Sequence, residues 1–428
     1  MNQNNTTQHS GRAPHVATIA QPSVLARELR PLRQLARSWP SVLAVYAALA
    51  FALLLSYQVR PKVDLPIDSQ LIGNTGGPFF AGLYEIEQSK KPDGTILYPY
   101  RWTKPRFELA LPGLAAQPLT LTLSVAGARP TGAPTAVVTI IVGARGHEQP
   151  LATFTPEGQM REYNFLIPAT TLDNGDLQLA VVTNGFHAAD GRNLGLILNR
   201  LRLTPAPNTG LILPPRSTSF WLALALALLL LGLSRLGWGR RTFLAAGLLF
   251  ALASGLWLTF DRLFLTPLAP ALWQALLATY IGLFIADYIL RLLRQYRGEL
   301  VDPAATAQEA RPWAASAVRW LLTIFFTTFA IRLGGQLHPQ IMVVDLIFHV
   351  HRLEDVLSGN LLFRTFASES GGHTTYYPPA AYLPIVPLSW LFGRSDADLA
   401  MVTRIFGVAL DTSAIFIIAT IGRLVAGW

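Results

Sequence analysis

The chain has 428 residues, 51% hydrophobic and 14% charged, with mean hydropathy +0.36, a profile too apolar for an ordinary soluble protein. It has no cysteine, which excludes disulfide staples, thiolate metal sites and cysteine nucleophiles. In a soluble protein a net charge of +9 would point to nucleic acid; here the excess is mostly arginine beside apolar runs, a topology signal, and no nucleic-acid partner is expected.

Residues 1–40 open with a polar Asn/Gln/Thr run and read as a partly disordered cytoplasmic tail. Arg27, Arg30, Arg33 and Arg37 precede the apolar run 42–57. That run ends in "LLLSYQVRP" with no small-x-small cleavage site, so 41–58 is expected to be an uncleaved anchor.

The character changes over 62–207. Apolar residues alternate, as at Leu119, Leu121, Leu123 and Val125, then Val137, Thr139 and Ile141. Alternation is the half-buried strand pattern. Turn groups such as "RPTGAPT" and "LDNGD" separate about seven such runs, which predicts an antiparallel, jelly-roll-like β-sandwich. "YRWTKP" (100–105) and "NGFHAADGRNLG" (184–195) place aromatics among Asp, Asn and Arg, as a sugar ring would require. A core tryptophan, a turn and an Asp–Arg brace explain them more simply. Residues 208–217 close a stiff, proline-rich linker.

Apolar runs follow at 220–236, 243–260, 268–290 and 314–331, with weaker ones at 379–392 and 405–421. Each strong run is near the ~20 residues a spanning helix needs. The expected architecture is therefore a polytopic α-helical membrane protein of about seven spans with an inserted extracytoplasmic all-β sandwich. Helices would occupy 218–333, an external loop 334–378, and further spans 379–428. Arg235, Arg240 and Arg241, the cluster Arg291 to Arg319, and Arg394 with Arg404 mark alternate loops as cytoplasmic, with the N-terminus, at the plasma (cytoplasmic) membrane; Arg423 is the exception.

The external loop carries "VVDLIFHVHRLEDVLSGN" at 343–360. Asp345, His349 and Arg352 share one helical face, beside an apolar stripe of Leu346, Val350, Leu353 and Leu357. This predicts an amphipathic helix lying on the external membrane surface, leucines toward lipid. Tyr376 and Tyr377 suit headgroup level, where they are candidates to bind substrate, before the chain re-enters at Pro378-Pro379. Such a place suits transfer from a lipid-phosphate sugar donor. Asp345 could act as general base, His349 could orient it or help bind a divalent metal, and Arg352 or Arg364 could hold the departing phosphate. No cofactor is required. His349 and His351, at i and i+2, do not share a helix face and also read as interfacial polar residues.

That stretch, the Gly371-Gly372 loop, "TYYPPAAYLPIVPL" and the arginine-plus-aspartate span "MVTRIFGVALDTSAIFIIATIGRLVAG" with Arg404 and Asp411 resemble the GT-C superfamily of membrane glycosyltransferases, of the mannosyl- and arabinosyltransferase kind. The resemblance covers residues 314–428, and the chain would correspond to the family's N-terminal portion. It implies a polyprenyl-phosphate sugar donor, an external glycan or protein acceptor, inversion at the anomeric carbon and Asp345 at the catalytic acid position; whether a partner chain completes the bundle is left open. Where the family's first acid is often followed by a second, Leu346 follows Asp345.

Structural readings stand beside these. Asp411 could pair with Arg404 seven residues earlier, and Asp287 with Arg291 one turn later. The alternative for the whole chain is a non-enzymatic membrane protein whose sandwich binds a glycan or partner. A transporter lacks support because no repeated broken helices are visible.

Overall fold

The computed structural model describes residues 29–60, 62–67, 79–90, 96–144, 146–207, 210–300, 315–339, 341, 345–361 and 379–426. A short helix α1 (Arg30–Arg37) leads into α2 (Trp39–Gln58). The β domain follows: β1 (Val63–Pro66), β2 (Phe80–Lys90), β3 (Ile96–Leu111), β4 (Leu119–Ala126), β5 (Val138–Val142), β6 (Gln149–Phe154), β7 (Arg161–Ile167), β8 (Leu177–Thr183), β9 (Phe186–His187), β10 (Asn193–Leu194) and β11 (Ile197–Pro205). Then come α3 (Arg216–Arg235), α4 (Arg240–Phe260), α5 (Arg262–Leu300), α6 (Ala315–Gln336), α7 (Leu346–Leu357), α8 (Val386–Phe392) and α9 (Asp396–Ala426).

The β domain is a nearly closed nine-stranded antiparallel sheet ordered β6-β5-β8-β3-β11-β4-β7, with β1 on β11 and β2 on β3, and a separate two-stranded β9-β10 pair. Strand β3 joins its two halves. Arg106–Leu111 pair with β8, while Arg101 and Trp102 pair with β11. Both halves feed one core, in which Leu121, Val138, Ile140, Ile167 and Leu177 are fully buried. The alternation at 119–125 holds, but the second run is displaced by one residue. Val138, Ile140 and Val142 face the core, and Val137 is 45% exposed. The run "VVTIIV" is apolar in both phases, so alternation alone could not choose the face. Thr139 settles on the outside, beside the Thr153 hydroxyl of β6 at 3.2 Å.

Six described helices are long and apolar enough to cross a membrane: α2, α3, α4, α5 through Ile289, α6 from Ser316, and α9 through Val425. Their directions can be read from contacts. Helices α2 and α4 run parallel, Val45 meeting Gly247 and Ala52 meeting Gly255, so that small residues let the backbones approach. Helices α3 and α5 run parallel from the Trp221–Trp273 contact to the Arg235–Asp287 pair. Helix α6 runs antiparallel to α5, with Gly334 facing Leu272 and Phe326 facing Gly282. Helix α9 runs antiparallel to α6, with Phe325 on Phe416, Arg332 paired with Asp411, and Leu333 clustered with Val408.

This last pairing changes the expected arrangement. Adjacent antiparallel helices mean that residues 337–395 begin and end at the same end of the bundle. The expected span at 379–392 is a succession of 3-10 turns (Pro379–Ala381, Leu383–Ile385) and the seven-residue α8. Pro384 and Pro387 each remove an N–H donor from it. Arg394 therefore lies at the β-domain end and Arg423 at the opposite, arginine-rich end, the reverse of the assignment read from the sequence.

The β domain is seated on the bundle. The Gln58 side-chain amide donates to the Ile212 carbonyl (2.9 Å) and accepts from its N–H (3.4 Å). Leu263, in the first turn of α5, packs against the β core. Gly113 lies against Thr266 and donates its N–H to Asp176 at 2.7 Å.

Candidate functional site

Within the stretch 343–360, Leu346–Leu357 form a helix, but its apolar stripe is used differently. Val350, Leu353 and Val356 are buried against Tyr382, Ile385, Leu399 and Val402. The helix thus packs on the 382–385 turn and the start of α9 instead of laying its leucines on lipid. The helical period predicts a stripe equally well for either partner; only tertiary packing chooses.

Asp345 sits at the N-cap position of α7 and is exposed. Its carboxylate makes no cap bond, while its carbonyl accepts the His349 N–H at 3.0 Å. Among the described residues no hydrogen bond or ion pair joins the Asp345 and His349 side chains. His349 instead shares a hydrogen bond of 2.7 Å between Nδ1 and the Tyr382 hydroxyl. Tyr382 is 3% exposed, so His349 anchors α7 to the neighbouring turn. Arg352 is buried. It donates to Asp355 Oδ2 at 3.0 Å and lies 4.9 Å over the Phe348 ring, which makes it a brace within α7. Arg364, Tyr376 and Tyr377 lie outside the described residues.

The intramembrane carboxylates also find partners that local spacing did not reveal. Asp411 pairs with Arg332 of α6, not with Arg404. Asp287 is held by Arg235 of α3 at 3.2 Å; the side chain of Arg291, its expected partner, lies outside the described residues. Both partners come from other helices, and sequence offsets within one helix cannot show them. Arg404 faces the same side of α9 as Val408, with its Nε buried and without a hydrogen-bond partner among the described residues.

In the β domain, the two aromatic stretches are engaged with each other. Trp102 meets Phe186 edge-on at 5.7 Å. Arg192 donates to Asp190 (2.6 Å) and Glu87 (2.8 Å) and covers the Tyr84 ring. This is the turn-and-brace arrangement. Away from it, a groove of about 220 Å³ is lined by Phe79, Arg106, Glu108, Ile141 and Glu148. Arg106 bridges both glutamates there at 2.6 Å. Those partners hold the guanidinium pKa above its ordinary value, the hydrogen bond to Glu108 first. A second, polar hollow of about 470 Å³ involves His147, Gln149, Thr170, Thr171 and Asp173.

Among the described residues no group of three or more His, Asp or Glu side chains could hold a metal ion. No family model matches the chain, and no curated protein matches it. Three solved structures give local likenesses. One is a Clostridium thermocellum endo-1,4-beta-D-xylanase 10B fragment with xylohexaose, at 13% identity and TM-score 0.20, covering 35% of this chain and 27% of that one. Another is a 4-O-methyl-alpha-glucuronidase with specificity for decorated arabinogalactans, at 9% identity and TM-score 0.20, covering 30% and 18%. The third is a mutant family 29 carbohydrate-binding module, at 12% identity and TM-score 0.18, covering 34% and 85%. The match spans less than a third of the first two chains. Scores this low carry no argument about fold or ligand.

Proposed function

We propose that the chain is a plasma-membrane glycosyltransferase of the GT-C kind, or the N-terminal portion of one. It moves a sugar from a lipid-phosphate donor to an extracytoplasmic acceptor. The single observation that carries this reading is the placement of Asp345. It is an exposed carboxylate at the start of an amphipathic helix, at the same end of the bundle as the β domain. Charge supports the orientation. Arg30, Arg33, Arg37, Arg235, Arg240, Arg241, Arg319 and Arg423 gather at the opposite end, which the positive-inside rule assigns to the cytoplasm.

Asp345 takes the acceptor hydroxyl's proton as that oxygen bonds to the anomeric carbon. The carbon–oxygen bond to the lipid phosphate breaks, and the phosphate leaves with the electron pair. Since Arg352 is committed to Asp355, Arg364 is the better candidate to receive the charge growing on that phosphate. His349 acts through position, by fixing α7 on Tyr382.

The test is transfer from radiolabelled polyprenyl-phosphate mannose or arabinose in membranes carrying the full chain. Asp345→Asn should abolish transfer with membrane insertion unchanged; undiminished transfer would remove Asp345 from the mechanism. The alternative, a non-enzymatic glycan- or partner-binding protein, is favoured by the groove at Arg106, Glu108 and Glu148. It predicts no transfer by the wild type and ligand binding lost on Arg106→Ala.

A further inference from the structure

Polar groups that the fold buries without satisfying collect at the seat of the β domain. Tyr57 closes α2, Thr218 opens α3, and Arg262 and Thr266 open α5. Tyr57 is 0%, Thr218 2% and Arg262 5% exposed. None of Tyr57 Oη, Thr218 Oγ1, Thr266 Oγ1 and Arg262 Nη1 makes a hydrogen bond of ordinary geometry among the described residues; the two threonine hydroxyls reach the Tyr57 hydroxyl only loosely. They are neighbours. The Tyr57 hydroxyl lies beside both threonine hydroxyls, the Arg262 guanidinium stacks 4.1 Å over the Tyr57 ring, and Thr266 is one turn from Arg262 on α5.

The charge at this place is unbalanced. Arg262 Nη2 donates to the carbonyls of Ser56 (2.8 Å) and Val59 (3.1 Å), and Nε reaches Leu258 O at 3.4 Å. None of these partners is an anion, and no carboxylate pairs with Arg262 among the described residues. A buried charge is ordinarily paired, because leaving it unpaired forfeits its hydration without return. Two helix N-termini, those of α3 and α5, add positive partial charge at the same spot. Asp176 lies near Tyr57, but its carboxylate accepts the Gly113 N–H. Burial also pushes its pKa up, toward the neutral form.

We propose that Arg262, Tyr57, Thr218 and Thr266 bind a small monovalent anion of chloride size as the counter-ion of Arg262. The four groups offer donors and one positive charge, the recognition chemistry of an anion. Their burial argues for a small ion over a bulky lipid phosphate. The bound ion would tie together the end of α2 and the starts of α3 and α5, the three points on which the β domain rests, making that seat anion-dependent.

The experiment uses the full chain in detergent, dialysed into sodium gluconate. Chloride, bromide or inorganic phosphate is then titrated at constant ionic strength while tryptophan fluorescence follows thermal unfolding. Chloride and bromide should raise Tm saturably, by about 2–4 °C once well above Kd, and phosphate should not. Thr218→Val and Thr266→Val, close in shape to threonine, should fold and lose most of the rise. Bromide-soaked crystals should show an anomalous peak at Arg262. The proposal is overturned by equal Tm in chloride and gluconate, by an undiminished rise in the double valine variant, by stabilisation with phosphate alone, or by a water only at the site.

Discussion

Replacing Asp411 with asparagine should strand Arg332 at the surface of the helix bundle. The depth of the pair follows from packing. Ile405 clusters with Leu337 near the end of α6, and Asp411 lies 411 − 405 = 6 residues further along α9, hence about 9 Å deeper. That is roughly a third of the way into a ~30 Å hydrocarbon layer. The two side chains are 50% and 64% exposed on the bundle, so lipid or detergent, not protein, surrounds the charge left behind. A lone charge at a helix centre costs about 2.5–3.5 kcal/mol; at this shallower depth we expect about 2 kcal/mol for Asp411→Asn and a similar loss for Arg332→Gln. The assay is reversible unfolding in mixed micelles, followed by fluorescence as SDS is raised. The Arg332→Gln/Asp411→Asn double variant should lose at least ~1 kcal/mol less than the sum of the singles. Arg404→Gln combined with Asp411→Asn should be additive within about 0.5 kcal/mol. Coupling to Arg404 instead of Arg332 would refute both the pairing and the antiparallel placement of α9.

Because the chain has no cysteine, single cysteines can report sidedness without background. Arg394→Cys and Gly132→Cys should react with an impermeant maleimide from the same side, and Arg423→Cys only after permeabilisation; 394 and 423 reacting together would contradict the six-span order. Gly247→Val should destabilise by about 1–3 kcal/mol, since a Cβ there meets Val45. Gly335→Ala, which meets nothing, should not destabilise; equal losses in thermal unfolding would refute the close α2–α4 contact. Tyr382→Phe removes the partner of His349 and should cost about 1 kcal/mol, with no change in Tm arguing against that anchor. Asp176 binds its proton more tightly in the folded chain than in the unfolded one, because burial raises its pKa. Its contribution therefore favours folding at low pH and is lost as pH rises from about 4 through the raised value. Asp176→Asn should raise Tm at pH 7, with the advantage shrinking toward pH 4; a pH-independent difference would contradict this assignment.

What the sequence made legible was local. The alternation at Leu119–Val125, the Asn174-Gly175 turn, where both residues take positive φ, and the long apolar runs are set within a few residues of chain. The misreadings arose where two answers share one local pattern. "VVTIIV" fits either strand face, and the stripe of α7 fits lipid or protein. The proline-broken segment Pro379–Phe392 is as apolar as a span but not as continuous. The charge partners were illegible for another reason. Arg332–Asp411, Arg235–Asp287 and His349–Tyr382 all join separate elements, and one sequence carries no record of which helices touch. Of the candidate site, a helix within 343–360 was readable; that Asp345 stands at its N-cap position was not. Neither was the commitment of His349 and Arg352 to structural partners.

Helix α5 spans 39 residues, some 58 Å at the usual rise, and its first turn is inside the foot of the β domain. The chain between that domain and α3 is likewise fastened, through Ile212 to Gln58. Among the described residues the domain is therefore fastened to the bundle at both of these points, like an instrument bolted to a post. Were the domain to bind a polymer, these fastenings would hold it at one height and one compass bearing above the bundle.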